Sequence, residues 1–260
     1  MNSGKIYFLS DTHLGSKEDF EELVAKQQFV DFLDGLGPEA EAVYLLGDIF
    51  DFWLEYKQAI PQGYDKVLTS MSSAIQRGIT IYFCPGNHDY WTFGYLENQI
   101  GLKVIPQPYY FEKNGYRFWV AHGDGLGKTS LGVKIMNLLF KGKICIKLLL
   151  CLPSPWIYSF AHYWSRSSRK KSSQNPYVFK GENDNLYKYA LGLHSNKPAD
   201  FFIFGHLHQK IDLKIDRQSH FVILDSWSHG ENYAVFDNGK FDVIKITGQK
   251  DTFSSDSANL

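Results

Sequence analysis

Five short segments of this chain carry residues that could do chemistry: Asp11-Thr12-His13, Gly47-Asp48, Gly86-Asn87-His88-Asp89, His122-Gly123-Asp124 and Gly205-His206-Leu207-His208. Carboxylate, carboxamide and imidazole donors without a thiolate suit Mn, Fe or Zn better than a soft metal. In an extended chain the outer residues of Asp-x-His and of His-x-His point the same way, so each pair can grip one cation or two neighbours. Asp48 stands alone in its segment and is the candidate to bridge two cations. The interposed Gly47, Gly86, Gly123 and Gly205 permit tight turns and close backbone approach.

The elements that must position these residues follow from hydrophobic periodicity. Residues 5–9, 42–46, 79–83, 117–121 and 201–204 are short apolar runs of strand type, and each stops directly before one of the five segments. Residues 20–36 have apolar positions at helical spacing (Leu23, Val24, Phe29, Val30, Phe32, Leu33), and a second helix is predicted over 65–76. The β-α-β-α-β order predicts a largely parallel sheet with helices packed on it. Ligands of such sheets bind beyond the carboxyl ends of the strands, so all five segments are expected at one rim. Asn114-Gly115 reads as a turn and Asn238-Gly239 as a hairpin turn. Taken singly, an Asp after a strand is more often a cap and Asn87 a turn residue, while His-x-His is as often a surface pair as a metal site. Five such segments at five strand ends are hard to explain as caps.

Composition is that of a soluble globular protein: 44% hydrophobic, 21% charged and 16% aromatic residues. Three cysteines without CxxC spacing argue against a disulfide framework or a thiolate zinc site and fit a reducing compartment. The apolar run at 6–9 gives way at once to Ser-Asp, unlike a secretory signal. The longest apolar stretch, 144–152, is interrupted by Lys147 and is too short to span a bilayer. A cytoplasmic protein is expected. Charge is uneven: residues 125–181 contain ten Lys and Arg and no Asp or Glu, which leaves −11 on the rest of a chain whose net charge is −1. A basic segment within an acidic body points to an anionic partner.

The five ordered motifs resemble those of calcineurin-like metallophosphoesterases, over roughly residues 5–236. The resemblance implies a mixed α/β, four-layer αββα sandwich with two central sheets. On this match residues 1–246 form the metallophosphoesterase domain, 125–181 a basic amphipathic helical insertion, and 247–260 a disordered tail. It further implies that Asp11, His13, Asp48 and His208 hold one metal, and Asp48, Asn87, His122 and His206 the second. Two such cations, ~3.5–4 Å apart, lower the pKa of water and clamp phosphoryl oxygens. His88, beside a ligand, is then the residue to stabilise the transition state or protonate the leaving oxygen, with Asp48 as its catalytic partner at the metals. Asp89 is expected to orient a ligand from behind.

A closer resemblance rests on Gly47-Asp48-Ile49-Phe50-Asp51-Phe52-Trp53, on the insertion that follows His122-Gly123-Asp124, and on Ser226-Trp227. These look like the UDP-2,3-diacylglucosamine pyrophosphohydrolases of lipid A synthesis. That similarity implies release of UMP and a diacylglucosamine 1-phosphate, manganese as the usual metal, and an insertion that houses acyl chains. It also implies substrate contacts from Asn87, His88, Arg166, Ser168, Arg169 and Lys170, and peripheral association with an anionic inner-membrane surface. The chain departs from that family at His88, where its members carry Arg, and after His-Gly-Asp, where Thr129-Ser130-Leu131-Gly132-Val133 replaces an acidic residue and a Gly-Tyr pair. Two alternatives stay open: a soluble phosphodiesterase or nuclease using the basic insertion, and a non-catalytic binding module. The Leu, Ile and Val between the lysines favour lipid over nucleic acid.

Overall fold

The computed structural model describes residues 4–16, 19–56, 60–128, 131–132, 138, 142–153, 155–160, 163, 165, 167, 177–227, 232–245 and 250–251. Four parallel strands form one side of the first sheet: β1 (Lys5–Leu9), β2 (Ala40–Leu45), β3 (Thr80–Phe83) and β4 (Lys103–Val104), the last at its edge. An antiparallel extension, β10 (Asn232–Asp237), β11 (Lys240–Lys245) and β12 (Lys250–Asp251), pairs onto β1, giving the order β12-β11-β10-β1-β2-β3-β4. The second sheet contains β5 (Tyr109–Lys113), β6 (Tyr116–Ala121), β7 (Phe201–Phe204), β8 (Ile211–Lys214) and β9 (His220–Ile223), in the order β5-β6-β7-β9-β8. Here β6, β7 and β9 run parallel, and the two outer strands run antiparallel to them.

Strand alternation builds the layers. In β1, Ile6 and Phe8 join Ala42 and Tyr44 in a core shared with Phe118, Val120, Phe201, Ile203 and Val222 of the second sheet. Their neighbours Tyr7 and Leu9 face the other way. They pack with Ala25, Phe29 and Leu33 of α1 (Asp19–Asp34) and Val67, Leu68 and Met71 of α2 (Asp65–Gln76). On the far side, Phe202, Phe204 and Phe221 meet Leu186, Tyr187 and Ala190 of a further helix, Asn185–Asn196. Helix, sheet, sheet and helix make the four layers that the motifs implied.

Two details differ from the periodicity reading. In α1 the inward stripe is Glu22, Ala25, Phe29 and Leu33; Leu23 and Val24 lie off it and are exposed, as is Phe20. The helix at 185–196 has no counterpart among the sequence expectations. Its start is marked by Asp184, whose carboxylate accepts the Leu186 N–H at 2.9 Å as an N-cap. Both Asn-Gly turns are present: Asn114 and Gly115 (φ 53° and 81°), and Asn238 and Gly239 (φ 49° and 88°), close the β5–β6 and β10–β11 hairpins in the left-handed region that such turns require. Of the expected tail from Thr247 onward, the described residues are Lys250 and Asp251, which form β12.

The insertion contains helix among its described residues, with α3 at Lys143–Leu149 and a helical stretch at 155–160. Ile157, Ile146, Leu149 and Tyr158 pack against Phe52, Leu54 and Trp91, the segments that follow β2 and β3. Tyr158 donates to the Leu54 carbonyl at 3.1 Å, and Tyr56 donates to that of Leu152 at 2.9 Å. No helix among the described residues is long and apolar enough to cross a membrane.

Candidate metal centre

The carboxyl ends of β1, β2 and β3 in one sheet, and of β6 and β7 in the other, open onto a single site. Five of its residues sit in the left-handed region: Asp11 (φ 53°), His13 (45°), Asp48 (53°), His206 (70°) and His208 (50°). The paired side chains therefore do not converge by alternation along an extended strand, as their spacing suggested. Tight left-handed turns bring them together, each at a cost on the order of 1–3 kcal/mol. Cross-strand hydrogen bonds hold these turns: Asp11 N–H to Gly47 O at 3.1 Å, His13 N–H to Asp48 O at 2.9 Å, and His206 N–H to Asp11 Oδ2 at 2.9 Å. At Gly205 a Cβ would meet Ser10 Oγ at 1.9 Å and Asp11 Oδ2 at 2.5 Å, so the two sheets can approach this closely only through glycine.

Three groups of ligand atoms result, one of them His13, Asp51 and His88. Asp11, His13 and His208 form a second, and Asp48, His122 and His206 the third; within each group the atoms lie within 4.8 Å of one another. His208 Nε2 is 3.1 Å from Asp11 Oδ1 and 3.2 Å from His13 Nε2. Asp48 Oδ2 stands between the groups, 3.3 Å from His122 Nε2 and 3.9 Å from His13 Nε2. It lies within 4 Å of a histidine of each group. His88 Nε2 is 4.0 Å from the same oxygen. Asn87 is exposed, in the same loop as His88. Of the expected substrate contacts, Arg166, Ser168, Arg169 and Lys170 lie outside the described residues.

Residues behind the site orient it. The buried Asp89 accepts four backbone N–H groups, Asp48 and Gly86 on Oδ1 and Ile49 and Phe50 on Oδ2, at 2.7–3.3 Å. It thus shapes the loop that carries Asp48, the orienting role its place in the motif suggested. Gln107 went unnoticed in the sequence, where nothing marks it. Its Oε1 accepts the His122 N–H at 3.1 Å, and its Nε2 donates to Asp124 Oδ1 at 2.8 Å. Ser226, named only as part of a motif, donates to Asp11 O at 3.0 Å. Asp51 lay inside a quoted motif without a role; its carbonyl accepts His88 Nδ1–H at 2.8 Å.

These partners settle tautomers. A carbonyl only accepts, so His122 Nδ1, 2.9 Å from Leu46 O, carries a proton, as does His88 Nδ1. Both Nε2 atoms are left for the centre. Burial disfavours the ionised form of Asp48, yet His122, His88 and His13 outweigh it and hold the carboxyl well below its usual range. Asp11 is likewise brought to about 2, burial being outweighed by His208 and His122. Burial takes His13 down to about 4 and lowers His206. Burial also opposes a charge on His122 and His208, but Asp48 raises the first well above the ordinary histidine range, and Asp11 raises the second. At Asp89, burial and the Asp48 charge push the carboxyl up to about 7, against its N–H donors.

The donor set fits divalent cations. Asp11 Oδ1 and His122 Nε2 are buried with no hydrogen-bond partner among the described residues, although oppositely charged groups stand close by. With Nδ1 protonated, a neutral His122 turns a lone pair towards an Asp48 oxygen 3.3 Å away, an arrangement that a proton or a cation must occupy.

Comparison with known proteins follows the same line. Residues 4–210 match the model of the calcineurin-like phosphoesterase family. Among curated relatives, the UDP-2,3-diacylglucosamine hydrolase of Actinobacillus succinogenes is 36% identical over 234 residues, spanning 90% of this chain and 95% of its own. That of Porphyromonas gingivalis is 30% identical over 246 residues, 90% of this chain and 94% of its own. That of Haemophilus influenzae strain PittGG is 28% identical over 251 residues, 92% and 98% respectively.

Proposed function

The chain belongs to the calcineurin-like phosphoesterase family, and on that premise we propose that it hydrolyses the pyrophosphate of UDP-2,3-diacylglucosamine, giving UMP and 2,3-diacylglucosamine 1-phosphate. That it is a metal-dependent hydrolase follows from the family. The substrate is the named substrate of relatives that match it over nearly their whole length. The observation that carries the reading is the placement of a helical insertion with exposed apolar residues, among them Leu148, Trp156, Phe160 and Tyr163, against the loops that bear Asp48 and His88. A water-soluble phosphodiester gives no reason for that surface, whereas an acylated sugar does.

In this reading Asp11, His13, Asp48 and His208 hold one divalent cation, and Asp48, Asn87, His122 and His206 hold the other, with manganese the proposed metal. When bound, the pair supplies Lewis acidity towards phosphoryl oxygens and a lowered pKa for water. His88 is anchored through Nδ1–H on the Asp51 carbonyl, so its Nε2 is aimed at the centre. With a second proton on Nε2, it stabilises charge there on the phosphoryl group or gives that proton to the leaving oxygen. Arg166, Ser168, Arg169 and Lys170 contribute charge and hydrogen bonds to the substrate phosphate. The lysines of the insertion hold the protein, a cytoplasmic one in this reading, to the anionic face of the inner membrane.

The test is a manganese-supplemented assay of UDP-2,3-diacylglucosamine beside bis-p-nitrophenyl phosphate and DNA. UMP release strongly favouring the acylated substrate is expected. Inactivity on it, with turnover of the diester or DNA, would end this reading in favour of a soluble phosphodiesterase.

A further inference from the structure

A hydrogen bond from a described residue of the insertion reaches the reaction centre. Ser165, a helical residue of the insertion, donates from Oγ to Asp51 Oδ1 at 2.7 Å, and both side chains are buried. The Asp51 backbone is already pinned: its N–H donates to Leu14 O at 2.7 Å, and its carbonyl holds His88 Nδ1 at 2.8 Å. What its backbone leaves undetermined is the rotation of the carboxylate. That carboxylate stands next to two imidazoles, with Oδ1 3.8 Å from His88 Nδ1 and 3.9 Å from His13 Nδ1. The rings of His13 and His88 meet edge to face, with centroids 4.9 Å apart.

We propose that Ser165 is a positioning residue for the hydrolysis, its hydroxyl setting the Asp51 carboxylate and through it the orientation of His88 and His13. A carboxylate oxygen near both Nδ1 atoms favours the tautomers that turn both Nε2 atoms to the centre, which is how outer partners commonly orient metal-site histidines. Because Ser165 belongs to the insertion, this hydrogen bond ties the insertion to the reaction centre. The inference rests on the two-metal reading above but not on the identity of the substrate.

The experiment therefore uses bis-p-nitrophenyl phosphate, a substrate without acyl chains, with the manganese-loaded protein. Ser165→Ala is expected to lower kcat by about tenfold, the lower end of the usual effect of removing such a partner, with KM little changed. Ser165→Thr, which keeps the hydroxyl, restores turnover, and Ser165→Ala adds nothing to Asp51→Asn. Full turnover of Ser165→Ala on this diester, or effects of the two substitutions that multiply, would overturn the proposal. Histidine side-chain NMR of 15N-labelled parent and Ser165→Ala proteins decides the matter without activity. The His13 and His88 ring signals should move while that of His206 stays; no movement, or movement of all three, refutes it. A parent protein inactive on every phosphoester would defeat the functional reading, and the NMR comparison would still decide the role of Ser165.

Discussion

Gly86 offers a clean perturbation of the candidate bridge. Its backbone does not occupy the left-handed region, so adding a methyl group there acts by contact alone. A Cβ at this position would lie 2.3 Å from Asp48 Oδ1, 2.7 Å from Asp48 N and 3.0 Å from Asp48 Cγ. The carboxylate cannot simply rotate away, because the backbone nitrogen is also too close and is held by Asp89 Oδ1 at 3.1 Å. Restoring ordinary contact requires a shift of about 1 Å, and a misplacement of that size at a reacting centre costs on the order of 100-fold in rate. The shift also breaks the 2.9 Å hydrogen bond from His88 N–H to Asp48 Oδ1. Gly86→Ala should therefore lose about two orders of magnitude in kcat and bind manganese more weakly, as read by steady-state kinetics and metal analysis after gel filtration. Gly192, in the helix at 185–196, is the control, since a methyl group added there would meet nothing within 4 Å. Gly192→Ala should leave turnover alone and stabilise the fold by ~1 kcal/mol. Gly86→Ala with full metal content and turnover within about threefold of the parent, a barrier change under ~1 kcal/mol, would refute the argument that Asp48 occupies a critical position.

Three further outcomes follow. His88→Ala should lower kcat by ~100-fold or more while metal content stays at the parent level, as expected for a proton donor or charge stabiliser; loss of metal would make His88 a ligand instead. Asp89→Asn places an amide N–H₂ against two of the four backbone donors whichever way it turns, and should destabilise the protein by on the order of 3 kcal/mol in denaturant titrations; an unchanged midpoint would remove Asp89 from its role. In the metal-free chain His122 and His208 hold protons more tightly than ordinary histidines. A protonated nitrogen cannot accept a cation, so affinity should rise with pH through neutrality and binding should release protons. Calorimetry in two buffers of different ionisation enthalpy measures that release, and identical apparent enthalpies would contradict it.

Much of the site was legible because its residues are polar at positions where a strand has just ended, and apolar runs such as Ile6–Leu9 and Phe201–Phe204 locate those ends. What spacing could not convey was backbone conformation. Asp-x-His reads as alternation, yet Asp11 and His13 both sit at positive φ, a state set by long-range bonds to Gly47 and Asp48 rather than by local preference. Gln107 escaped for a related reason: its partners His122 and Asp124 are distant in sequence, and a lone Gln before Pro has no period to betray it. Leu23 and Val24 share helical spacing with Phe29 and Leu33 because that spacing tolerates several stripes; packing chose the one through Ala25, Phe29 and Leu33.

The role of Asp11 shows why the two sheets had to meet for this chemistry. Its Oδ2 accepts the His206 N–H from the second sheet at 2.9 Å and the Ser10 hydroxyl from the first at 2.6 Å. Its carbonyl accepts Ser226 Oγ at 3.0 Å and Trp227 N–H at 3.3 Å, from the segment after β9. That leaves Oδ1 turned towards His208 and His13. A side chain at Gly205 would separate these parts, and so would loss of the Asp11 carboxylate, because the groups built on Asp11 and on Asp48 each draw members from both sheets. The buried carboxylate is destabilised by desolvation and stabilised by the imidazoles it helps to assemble. In the proposed two-metal reading, the residue that joins the layers is therefore also the one whose charge a cation would complete, which couples fold and metal affinity at this point.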